Sequence, residues 1–93
     1  MTRDPDATRY EDEVTAGPGG VMTDDVGVIT GDLTVRTTLD DDGHRARVTV
    51  QYTGADEWYT VTGSPVPVPG ADLAAFHRDL LSRIRRGRAA QAI

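Results

Sequence analysis

From Leu33 onward, apolar and polar positions alternate with a period of two. Leu33, Val35, Thr37 and Leu39 fall on one side of the chain, and Thr34, Arg36 and Thr38 on the other. Ala46, Val48, Val50 and Tyr52 then alternate with Arg45, Arg47, Thr49 and Gln51, and Tyr59 and Val61 with Trp58, Thr60 and Thr62. Such alternation in β-branched and aromatic residues predicts three strands sharing one apolar face. DDDG at 40–43 and TGADE at 53–57 supply turn chemistry between them. Loops at Asp40–Gly43 and Gly54–Glu57 would pair Val35 with Val48, Leu33 with Val50, Val50 with Val61 and Tyr52 with Tyr59. Both hairpins then put their apolar side chains on the same face. VGVIT at 26–30 is a further strand segment, and Gly31 either bulges it into the first strand or turns it into a fourth.

SPVPVPG at 64–70 has proline at every second position and reads as a stiff, extended connector. Periodicity turns helical from Ala71 to about Arg86: Leu73, Phe76, Leu80 and Ile84 form a stripe, with Leu81 at its edge. Asp72 or Gly70 suits the N-cap and Gly87 the C-terminal stop. The fold class predicted is α+β, a small antiparallel three- or four-stranded β-meander with one C-terminal α-helix packed on its apolar face. A single domain would span 26–88, followed by a short tail at 89–93. Residues 1–25 are acidic, rich in Gly and Pro, and show neither period, so a disordered tail is expected there.

Composition narrows the function classes. At 93 residues without cysteine, the chain forms one thin-cored domain with no disulfide and no thiolate chemistry. No apolar run approaches the roughly 20 residues of a membrane span, and MTRDPDATRYEDE lacks a signal peptide's apolar stretch. A cytoplasmic location without membrane contact is the expectation. All ten basic side chains are arginine, a skew that fits GC-rich coding as well as selection for anion binding. Residues 1–44 hold 11 acids against 3 arginines, residues 45–93 only 4 acids against 7, within a net charge of −5. That asymmetry points to an acidic front and a basic surface behind it.

Candidate chemistry is sparse. His77 borders the helix's apolar stripe and reads as a half-packed boundary residue, and His44 sits in a turn. Asp40-Asp41-Asp42-Gly43 fails as a calcium loop, because Thr38 and Thr49 would occupy its first and twelfth positions. GPGG at 17–20 has no framing strand, lysine and helix to make a phosphate loop. No catalytic residue, metal site or cofactor is assigned.

The sheet's polar face is more informative. The register above sets Arg36 directly opposite Arg47, a like-charge pair that destabilises a sheet. Internal carboxylates, a protein partner (a second copy included) or a phosphate backbone could offset it. Trp58, the only tryptophan, lies on this face beside the arginines. Arg36, Arg45, Arg47, Trp58, Thr49 and Thr60 are therefore the candidate partner-binding residues. Toward the helix end, where cations are favoured, Arg78 and Arg85 lie together on the helical wheel while Arg83, Arg86 and Arg88 spread around it; Arg78, Arg85, Arg86 and Arg88 are the candidate contacts for phosphate or an acidic partner. The function expected is a non-enzymatic protein-interaction or regulatory module, partnered by another protein or self-associating as a homodimer. One alternative is a nucleic-acid-associated regulator, disfavoured by the net charge; another is an accessory protein to an enzyme.

Overall fold

The computed structural model describes residues 8–93 apart from Pro69 and Ala71. Two antiparallel sheets and one C-terminal helix make an α+β fold. The strands are β1 (Arg9–Thr15), β2 (Val21–Thr23), β3 (Gly27–Ile29), β4 (Asp32–Leu39), β5 (Arg45–Tyr52), β6 (Tyr59–Thr60) and β7 (Val66–Pro67). The helix α1 spans Leu73–Arg86. The main sheet runs β1-β4-β5-β6, with β7 also pairing β5, while β2 and β3 form a separate two-stranded ribbon.

The alternation from Leu33 onward folds as it predicts. Leu33, Val35, Val48 and Val50 are completely buried and meet Leu80 and Ile84 of the helix in one core. Asp72 caps the helix by accepting a hydrogen bond from the Ala75 amide at 3.0 Å, an interaction typically worth about 1 kcal/mol. Gly87 ends it, donating its N–H to the Arg83 and Ile84 carbonyls.

The predicted register is corrected by two residues in both hairpins. Val35 pairs with Val50 and Leu33 with Tyr52, while Val50 pairs with Tyr59. The cause in the first hairpin is local. The Asp40 amide bonds the Arg45 carbonyl at 2.8 Å, so the loop is Asp41–His44 and not Asp40–Gly43. A shift of two preserves which side chains face inward, because the side-chain period is two.

The disordered tail is also corrected, from residue 8 on; residues 1–7 lie outside the described residues. β1 pairs with β4 along its whole length, Tyr10 opposite Thr37, Asp12 opposite Val35 and Val14 opposite Leu33. Tyr10 and Val14 are buried beneath the helix side of the sheet. β3 neither extends β4 nor joins the main sheet, as Gly31 at φ +89° breaks the chain and β3 pairs back onto β2. The proline-rich connector contributes the two residues of β7, Val66 opposite Ala46 and Pro67 opposite Arg45.

The segment after the helix is built into the fold rather than loose. Successive amides of Arg88, Ala89 and Ala90 donate to the carbonyls of Pro18, Gly19 and Gly20. The Gly17 amide bonds the Ile84 carbonyl at 3.0 Å, so GPGG caps the C-terminal end of the helix with its own backbone. Ala90 forms a parallel bridge with Val21, the Ala92 amide bonds the Thr62 carbonyl, and Ala90 and Ala92 are buried. Arg83 closes this arrangement. Its guanidinium donates to the carbonyls of Gln91 and Ile93 at 2.8 and 2.9 Å while pairing with Asp79 one turn earlier.

Candidate functional site

The helix covers one face of the main sheet and leaves the other open. On the open face, the β1-β4-β5-β6 register lines up Glu11, Arg36, Thr49 and Thr60 in one row across four strands. The structure therefore corrects the expected Arg36–Arg47 juxtaposition. Arg36 faces Thr49 and Arg47 faces Thr38, one step apart diagonally.

Each of these arginines has a carboxylate. Glu11 Oε1 accepts from Arg36 Nε at 2.9 Å and from Arg9 Nη2 at 3.2 Å. Asp40 accepts from Arg47 Nε at 2.5 Å and lies 3.8 Å from Arg45, whose Nε donates to Asp42 at 3.0 Å. Of the three ways to offset the arginine charge, the internal one is realised. The face is an interleaved mosaic of both signs, not a basic patch. Asp40 and Asp42 are thereby engaged by arginines and backbone rather than gathered around an ion site.

Trp58 lies half-buried on this face, with the Arg36 guanidinium 3.9 Å from its ring centroid. Arg36 is thus held from two sides, by Glu11 in the plane of hydrogen bonding and by the Trp58 ring beneath. Such stacking on an indole is worth about 0.5–1 kcal/mol at an exposed site, and it orders a side chain that would otherwise sample many rotamers.

The local electrostatics follow. The Arg36 guanidinium, then Arg9, hold the Glu11 carboxyl below its ordinary 4.5. The His44 amide, then Arg45, lower Asp42. Tyr59 moves the other way, because its hydroxyl donates to Glu57 at 3.0 Å and that bond favours the neutral phenol. A depressed carboxylate stabilises the fold above its unfolded value, and the gain disappears as pH falls through the folded value. The Glu11 contribution is therefore present at neutral pH and lost below pH 4.5. Because the pair is exposed, its size is under about 1 kcal/mol. Urea midpoints of the natural chain and Glu11→Gln should differ slightly at neutral pH and converge in acid; an undiminished gap in acid would show the pair is not the source.

Sequence reasoning missed one constellation. His77 is fully buried, which corrects its reading as a boundary residue. Its Nδ1 lies 2.7 Å from Thr37 Oγ1 and its Nε2 2.8 Å from Asp12 Oδ2, and its ring stacks on Tyr10 at 5.6 Å between centroids. The order hydroxyl, imidazole, carboxylate is that of a nucleophilic triad. Its exposure is inverted. Thr37 Oγ1 is sealed inside the core, and Asp12 is the member that reaches solvent. No substrate can approach the hydroxyl, so the chain ties β1, β4 and α1 together. Only the inward parity of Asp12, visible once β1 is recognised as a strand, could have signalled it.

At the helix end, Arg78, Arg85, Arg86 and Arg88 are exposed and form no ion pair among the described residues. Arg86 and Arg88 do not join the other two: Arg78 and Arg85 line a cleft beside β1, and Arg86 and Arg88 border the C-terminal segment. Among the described residues, no three His, Cys, Asp or Glu side chains converge in a metal-binding group, and no helix is long and apolar enough to cross a membrane. No family model, no curated protein and no solved structure matches the chain.

Proposed function

We propose that this chain is a small protein-interaction or regulatory module that docks a partner protein, a second copy included, on the open sheet face built from Arg36, Arg45, Arg47, Thr49, Trp58 and Thr60. The observation that carries this reading is the Arg36 guanidinium fixed between Glu11 and the Trp58 ring, at 2.9 and 3.9 Å, in the middle of an uncovered sheet. Trp and Arg supply a disproportionate share of binding energy at protein interfaces. Holding them in place beforehand lowers the entropy cost of association. The mosaic of paired charges favours a protein surface over a phosphate backbone. A nucleic acid would have to displace Glu11, Asp40 and Asp42 from the arginines it needs, whereas a protein can match both signs.

Photo-crosslinking in the native cells tests this. A photoreactive residue at Thr49 or at Thr60 should give discrete adducts, and the same residue at exposed Asp56 should not. The adduct mass separates a second copy of the chain from a different protein. Equal labelling from all three positions, or none from the sheet face, would end the proposal.

A further inference from the structure

β1 is an edge strand, and its outward edge is open. Thr8 and Ala16 exchange backbone bonds with Leu39 and Gly31, so even-numbered residues of β1 turn their amides and carbonyls toward β4. The amides and carbonyls of Arg9, Glu11, Glu13 and Thr15 point the other way and meet no backbone partner among the described residues. Beside that edge runs α1. Between them lies a cleft of about 260 Å³, with Asp12 and Glu13 on the β1 side and Ala74, His77, Arg78, Leu81 and Arg85 on the helix side. Its helix wall thus carries two of the arginines that have no carboxylate partner among the described residues, seven residues apart and on one side of the helix.

We infer that this cleft takes an extended acidic peptide segment, which adds to the free edge of β1 as a further antiparallel strand. Backbone bonds to an edge strand give such docking its affinity, and alternate side chains give it selectivity. Every second side chain of the added strand would face α1. Arg78 and Arg85 are about 10 Å apart along the helix. Two acidic side chains four residues apart, about 14 Å, bracket that span within the reach of an arginine. The residue between them lies near Asp12, whose carboxylate is turned inward onto His77, so it should be small and neutral. The charge pattern also says what does not fit. A second copy pairing β1 against β1 along its whole length would set Glu11 across from Glu13, acid opposite acid. Unlike the proposed function, this inference does not involve the open face, so either can fail alone.

The test uses the full chain and a short synthetic peptide, with Glu at two positions four apart and Thr between, followed by fluorescence anisotropy and amide chemical shifts. Binding should perturb Arg9–Thr15 and α1. Arg78→Glu and Arg85→Glu should each weaken it by about tenfold. Lysine in place of both peptide glutamates should abolish binding, and so should N-methylation of the peptide amides facing β1. Glu13→Pro should also block it, since it deletes an outward N–H and no ladder bond. If that variant does not fold, the N-methylated peptide decides. Absence of binding, indifference to N-methylation, or shifts centred on Thr49 and Thr60 would each overturn the inference.

Discussion

Gly87→Ala should be among the most damaging single-methyl changes in this protein, lowering unfolding free energy by about 3 kcal/mol or preventing folding. Two independent costs fall on one atom. Gly87 sits at φ 80° and ψ −132°, a conformation that side-chain-bearing residues avoid. A Cβ there would also overlap the backbone of Gly17 and the Pro18 carbonyl oxygen, neither of which can rotate away. The mirror change, Gly17→Ala, meets the backbone of Arg85 and Arg86 and should cost a similar amount without any dihedral penalty. Gly43→Ala is the control. Gly43 also has a positive φ, yet its Cβ would enter open space, so strain acts alone and the loss should stay near 1 kcal/mol. Urea denaturation of the three variants checks the ranking. A Gly87→Ala loss no larger than that of Gly43→Ala would mean the two backbones are not in contact.

His77→Leu should cost about 3 kcal/mol, despite adding an apolar side chain to an apolar site. The two bonds that His77 loses are unequal. Asp12 has one-third of its side chain in solvent and can hydrate once its partner is gone. Thr37 is completely buried, so its hydroxyl would be stranded. The penalty therefore belongs mainly to Thr37, and the double variant His77→Leu/Thr37→Val should recover about 1–2 kcal/mol of it. A double-variant cycle from urea midpoints measures this directly. Additive losses would place the cost elsewhere, in the ring stack on Tyr10.

What the sequence made legible was parity, and what it hid was pairing at a distance. Leu33, Val35, Val48 and Val50 announce their inward face by alternation alone, and the helix announces both its ends through Asp72 and Gly87. Register depends on which residue closes a loop. The polar run Asp40–Arg45 offers two four-residue loops, one closed by Leu39 and His44 and one by Asp40 and Arg45, and nothing local chooses the second over the first. β1 escaped notice for a different reason. Its middle inward position is Asp12, and a carboxylate there reads as a break in the pattern unless His77, 65 residues away, is known to meet it. The open face was legible as a list of residues, since Arg36, Thr49, Trp58 and Thr60 do share it. Its electrostatics were not, because Glu11 belongs to β1, which has the acidic composition of a tail. Arg78 and Arg85 were visible as neighbours on a wheel. Only the placement of β1 turns them into one wall of a cleft.

The docking of residues 88–92 onto 18–22 and Thr62 bears on how the chain can be made. A ribosome delivers β2 and the GPGG turn early, yet the amides that bond Pro18, Gly19 and Gly20 belong to Arg88, Ala89 and Ala90. The same holds for β1, whose buried Asp12 waits for His77. The β2–β3 ribbon can close locally, but these other partners of the front lie 65 to 70 residues away, and contacts this far apart in sequence close slowly. Asp12 and the GPGG carbonyls would therefore keep water as their partner until residues 77–90 are in place, so the front of this domain is completed only by its back.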